Sequence, residues 1–175
     1  MHPVEVENAL KTLTLLVDTR EQDTEKARHR IASTELPFER RKLDFGDYSA
    51  KVTVYDGEEL DFSNSFAVER KMDLDELAGC YTHSRARFER EFLRAKDKNA
   101  KIYLLVENAS WDKVLSGKYR SRMSSQALTA SMFAWLSRYD CQIIMCDSFT
   151  SGRLIREILY REVKERLSKM EVSEL

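Results

Sequence analysis

The segment Lys101 to Glu107 reads KIYLLVE and is the strongest buried-strand signal in the chain. A near-continuous apolar run of that length suits a strand whose sheet is covered on its faces. Thr14-Leu15-Leu16-Val17 is a shorter signal of the same kind and ends in Asp18-Thr19-Arg20-Glu21. Phe38 to Phe45 is the next expected strand, reaching Gly46-Asp47-Tyr48. Lys51 to Tyr55, the turn pair Asp56-Gly57, and Phe66-Ala67-Val68 predict antiparallel strands joined by a hairpin-like excursion. Gln142 to Cys146 reads as a further strand.

Helical patterns separate these strands. A charged stretch from Thr24 to Thr34 reads as a solvated helix. The chain turns helical from Asp73, with Phe88, Phe92 and Leu93 as an apolar stripe before Asp97. Ser110 to Ser116 is a short helix, and Gly117 to Arg122 a basic loop. Ser124 or Ser125 caps a helix carrying Leu128, Met132, Trp135 and Leu136. A last helix starts near Ser151, with Leu154, Ile155, Ile158, Leu159, Val163 and Leu167 on one face. Strands first, with helices interleaved later, predict an α/β fold with a mixed sheet between helical layers.

The bulk numbers fit a single globular domain over residues 1–175, with 42% hydrophobic and 34% charged residues and only five Gly and two Pro. No apolar run is long enough to span a bilayer, and Met1 to Leu10 lacks the order of a signal peptide, so a cytoplasmic location is expected. The net charge of −1 is mild evidence against a nucleic-acid binder, although clustering matters more than the sum. Cys80-Tyr-Thr-His83 has no second pair to complete a zinc site, and Cys141 and Cys146 read as buried thiols.

Chemistry concentrates in Val68-Glu69-Arg70-Lys71. Glu69 and Lys71 lie two apart, so on a strand they project from one face. Asp47, ending another strand-like segment, supplies a second carboxylate. Charged groups gathered where strands end are costly unless they bind something. The competing reading is a surface salt bridge among the three.

With Gly46-Asp47, Glu69-Arg70-Lys71 and Asp75, the chain resembles the XPF-type nucleases, a branch of the PD-(D/E)XK superfamily. Val17 to Glu21, Asp75-Glu76-Leu77, Arg87-Phe88 and Leu104 to Glu107 follow in the order of that family, and the resemblance covers roughly residues 14–165. It implies a restriction-endonuclease-like three-layer α/β/α core, a divalent cation, and DNA cleavage at junctions between duplex and single strand. No G-x-G hairpin is present, so the tandem helix-hairpin-helix of larger relatives is not expected. The chain is similar instead to compact, stand-alone forms from bacteria and phages.

On this resemblance Asp47 and Glu69 are the expected ligands of Mg²⁺ or Mn²⁺, and Lys71 orients the attacking water or stabilises the phosphorane. Asp18 and Glu21 either approach the same site or cap the following helix. Arg20 suits a phosphate, since its planar fork pairs two oxygens. Arg70 is expected to turn to the opposite face and brace the motif against Asp75, with Asp73 a competitor. Arg87 is either a phosphate contact or part of a solvated helix face. Lys118, Arg120 and Arg122 form a sequence-independent backbone grip, with Tyr119 available to stack on an unpaired base. The wide apolar faces of the last two helices allow a homodimer. The function expected is a metal-dependent DNA endonuclease of repair, recombination or mobile-element DNA processing. The alternative is a non-catalytic DNA-binding or dimerisation partner of another nuclease subunit.

Overall fold

A computed structural model of the chain describes residues 1–170. Its contacts separate into two compact units. The first comprises Met1–Leu43, Tyr48–Ser63 and the chain from Gly152; the second comprises Asp44–Asp47 and Asn64–Ser151. Strands and helices alternate along both, as the α/β reading requires.

In the first unit β1 (Thr14–Val17) pairs in parallel with β2 (Phe38–Arg40) and antiparallel with β3 (Tyr48–Thr53), so the sheet is mixed. Helix α1 (Pro3–Leu10) precedes β1, and α2 (Glu25–Ala32) makes the crossover from β1 to β2. Leu15, Leu16 and Val17 are fully buried, which accounts for their unbroken apolar run. The expected strand from Phe38 stops at Arg40, because the Leu43 N–H then donates to Asp18 Oδ2 (2.7 Å) instead of joining a ladder.

The excursion at Asp56-Gly57 carries a strand of its own, β4 (Glu59–Asp61), antiparallel to β3. Its signal was hidden by charge. Arg41 bonds to Glu39, Glu59 and Asp61, and Lys51 bonds to Glu39 and Glu59, so these short strands trade apolar side chains for ion pairs. Helix α1 was not expected either, since its apolar content is confined to one face (Val6, Ala9, Leu10). His2 and Glu5 close it with a capping box.

In the second unit β5 (Phe66–Lys71), β6 (Lys101–Glu107) and β7 (Cys141–Cys146) are parallel, with β6 between the other two. Parallel pairing requires crossovers, and helices supply them. α3 (Leu74–Tyr81) and α4 (Arg85–Asp97) connect β5 to β6, while α5 (Trp111–Leu115) and α6 (Ser125–Arg138) connect β6 to β7. The helical run from Asp73 is therefore interrupted. Thr82 Oγ1 donates to Ala78 O (2.9 Å), a side-chain bond that competes with helix continuation, and the Thr82 backbone leaves helical geometry. The final helix, α7 (Ser151–Lys169), begins where expected.

Trp135 of α6 organises the core of this unit. Its ring lies 4.9 Å from Tyr81, 5.7 Å from Phe88 and 5.6 Å from Tyr139, centroid to centroid. Such pairs add about 0.5–1.5 kcal/mol each beyond area burial. They fix α4 against α3 and α6 and hold Phe88 under Lys71 at the end of β5.

Candidate active site

The site begins at Gly46. Its φ is +72°, and a Cβ there would meet Ala67 Cβ at 2.5 Å, so only glycine lets the loop lie this close to β5. Asp47 is thereby set alongside the strand. Its N–H donates to Val68 O (2.8 Å), and its Oδ2 accepts from the Arg70 N–H (2.8 Å). The carboxylate stands where a neighbouring strand would have offered a carbonyl.

Glu69 and Lys71 share one face of β5, as strand alternation requires, and Lys71 Nζ donates to Glu69 Oε1 at 2.5 Å. Both are buried, at 5% and 7% exposure. Lys71 Nζ also lies 5.2 Å from the centre of the Phe88 ring, a cation–π contact that fixes the ammonium from the helix side. The surface salt bridge weighed above does not describe this pair, because neither partner is at the surface.

The pair opens into a cleft of about 310 Å³ lined by Asp75, Glu76, Cys80, His83, Arg87 and Glu91 among others. Its charge is mostly negative. Burial pushes the Glu69 carboxyl above the usual carboxylate range; Lys71 opposes this, while Glu91 and Glu76 add to it. Burial works against the Lys71 charge too, but Glu69, Cys80 and Asp47 outweigh it and hold the ammonium firmly protonated. The Cys80 thiol is pushed up to about 11, chiefly by burial, and is a neutral wall of the cleft. A buried carboxylate whose charge is disfavoured is the condition that a cation relieves. Among the described residues no group of three or more His, Cys, Asp and Glu forms a ready-made metal cage. Asp47 and Glu69 offer carboxylate oxygens, the donor type that hard divalent cations such as Mg²⁺ take.

Arg87, exposed on α4, lines the cleft. Arg70 turns away from Glu69, but it pairs with buried Glu107 (3.6 Å) rather than with Asp75. Asp75 is taken by the loop after α5, accepting from Arg120 N, Arg120 Nε and Ser121 N. Asp73 is the N-cap of α3, accepting from Glu76 N (2.9 Å), which removes it as a partner for Arg70. Lys118 pairs with Asp112 (3.2 Å), and Arg122 is exposed. Tyr119 is not poised to stack on a base: its hydroxyl donates to Met123 O (2.9 Å) and its ring packs on the core.

Asp18, Arg20 and Glu21 belong to the first unit. Asp18 is buried and binds Arg20 through both carboxylate oxygens, while Glu21 Oε1 accepts from Arg30 Nη1 (3.2 Å) and Tyr48 OH (2.9 Å). Neither acid caps α2, whose N-cap is Thr24. The cleft residues Glu76, Cys80, His83 and Glu91 had no role in the sequence reading. Part of their signal was available, since Glu76 and Cys80 on α3 and Arg87 and Glu91 on α4 are each four residues apart, whereas His83 sits in the turn between the helices.

No match is found among curated proteins. Among solved structures, XPF from Aeropyrum pernix is similar with a TM-score of 0.59 and 21% identity, covering 91% of this chain and 63% of that one. XPF from Aeropyrum pernix in complex with DNA gives the same TM-score and identity, covering 91% of this chain and 68% of that one. This chain thus spans less than two thirds of the first of those structures, and at such identity the likeness is one of fold. A family model described as the ERCC4 domain matches residues 17–155, a stretch that contains Asp47, Glu69, Lys71 and every other site residue discussed. With most of its length inside that match, the chain belongs to the ERCC4 domain family.

Proposed function

We propose that the chain is a divalent-metal-dependent DNA endonuclease acting on branched, flap or fork DNA. Membership of the ERCC4 family supports a DNA nuclease at the level of the family. The observation that carries the reading here is the buried Glu69–Lys71 pair opening into an acidic cleft, with Asp47 near enough to act on the Lys71 charge.

Asp47 and Glu69 would hold Mg²⁺ or Mn²⁺. Bound there, the ion would neutralise phosphate charge and lower the pKa of a coordinated water. The chain's own groups do the rest. Lys71, held protonated by its acidic neighbours and fixed over Phe88, donates to the attacking water or to a phosphate oxygen as charge builds in the transition state. Arg87 clamps the phosphate from the helix side. Arg70 and Glu107 hold the strand end that presents Glu69 and Lys71. Asp18 and Glu21 brace the first unit through Arg20 and Arg30.

One panel tests this: flap, fork, Holliday junction, single strand and duplex, each with Mg²⁺, Mn²⁺ or a chelator. Cleavage of a branched substrate, lost with the chelator and reduced at least ~10³-fold in Asp47→Ala, Glu69→Ala and Lys71→Ala, is the expected result. Undiminished cutting by Lys71→Ala would remove the mechanism. Tight binding without cleavage of any substrate would assign the chain instead to the non-catalytic DNA-binding or dimerisation partners.

A further inference from the structure

We infer that Asp75 is a positioning residue that clasps the loop of residues 117–123 onto the start of α3, creating a groove beside the cleft that seats the phosphate next to the one cut. This rests on the nuclease reading and deepens it. Asp75 lies four residues beyond Lys71, in the first turn of α3. Its Oδ1 accepts from two consecutive backbone N–H groups, Arg120 (2.7 Å) and Ser121 (2.6 Å), and its Oδ2 from Arg120 Nε (3.0 Å). The loop has no ladder or helix to fix its path, since α5 ends at Leu115 and α6 starts at Ser125. The Asp75 carboxylate holds its middle from α3, while Lys118 N on Lys113 O (2.9 Å) ties its start to α5 and the Tyr119 hydroxyl on Met123 O closes it on itself.

What the clasp creates is an open groove of about 590 Å³, lined by Asp75, Thr82, His83, Arg120, Arg122 and Met123 among others. Asp75, Gly79 and His83 also line the cleft, so the two spaces adjoin. A strand with one phosphate in the cleft must lay a neighbouring one along adjoining surface. The groove offers two guanidinium groups for it, with unequal availability. Arg120 gives its Nε to Asp75. Arg122 is exposed and makes no ion pair among the described residues, so its planar fork is open to a phosphate. Lys118 is engaged by Asp112 and is not part of the groove. The catalytic strand and the DNA grip are thus tied through one carboxylate just past the motif.

The test is binding of the full chain, in chelator, to a DNA it cuts, with single neutral methylphosphonates walked outward from the scissile position. One flanking position is expected to weaken wild-type binding about tenfold and to have no further effect in Arg122→Gln. Asp75→Ala should reproduce the loss of coupling, raising KM about tenfold while kcat moves less than about twofold. If Asp75→Ala does not fold, Arg122→Gln, a change at an exposed side chain, still decides. A flanking methylphosphonate equally costly in wild type and Arg122→Gln overturns the inference while leaving the nuclease reading intact. Failure of the wild type to bind or cut any DNA overturns both.

Discussion

Asp18 is a carboxylate with almost no solvent, and the chain keeps it ionised with donors. Its Oδ1 accepts from Arg20 N and Arg20 Nε, both at 2.7 Å, and its Oδ2 from Arg20 Nη2 (3.2 Å) and Leu43 N (2.7 Å). Burial alone would raise its pKa, but the Arg20 and Leu43 bonds outweigh that and hold it below the usual carboxylate value. A depressed pKa means the folded state prefers the charged form. The stabilisation is therefore fully present above the unfolded pKa of about 3.9 and fades as the pH falls through the lower folded value. Asp18→Asn puts an N–H₂ among donors and is expected to cost about 2–3 kcal/mol at pH 7, with a smaller penalty below about pH 4. Urea unfolding at the two pH values measures this. An unchanged stability with abolished cleavage would move Asp18 from brace to catalyst.

At the scale of elements the decisive joint is the approach of the Gly46-Asp47 loop to β5. Gly46→Ala combines a positive φ with a Cβ placed 2.5 Å from Ala67 Cβ and 3.2 Å from Val68 O, so the loop must withdraw. Overpacking of this kind costs about 1–3 kcal/mol, with the backbone strain in addition. As Asp47 retreats from Arg70 N–H, Mn²⁺ affinity should drop more than tenfold, and calorimetric titration of folded Gly46→Ala would show it; wild-type affinity would refute the joint's role. The sequence made this joint legible, since glycine before an acid beside an acid–x–lysine strand has a local chemical logic. The strong strands β1, β5 and β6 and the cap of α6 at Ser124 were legible for the same reason: each is written in contiguous residues. Arg70–Glu107 and Asp75–Arg120 were not, because each pairing joins residues far apart in sequence and charge alone does not choose among many acids and bases. Strand β4 and helix α1 were missed because their stability is carried by ion pairs and a capping box more than by an apolar pattern.

For the molecule as a whole, its exposed rings set where a second copy could bind. The wide apolar faces that suggested a homodimer are largely consumed inside the protomer. Leu128, Met132 and Trp135 of α6 are fully buried, as are Ile155, Leu159, Val163 and Leu167 of α7. What α5 and α6 leave outside is Trp111 and Phe133, 39% and 53% exposed and stacked with centroids 5.6 Å apart, with Leu115 exposed at the end of α5. Two adjacent aromatic side chains in water are a candidate anchor for an interface, which needs about 800 Å² per partner to be stable. The homodimer, if formed through this face, has a specific weakness. Phe133→Glu would bury a charge against its own symmetry mate, so light scattering at micromolar concentration should show a dimer in the wild type and a monomer in the variant, with unchanged circular dichroism. Asp47, Glu69, Lys71 and Arg87 all come from one chain, so the monomeric variant should retain cleavage per site within about threefold on a substrate that engages one protomer. A wild type that stays monomeric would remove the dimer, and loss of cleavage with dimerisation would show that a second protomer helps hold the DNA.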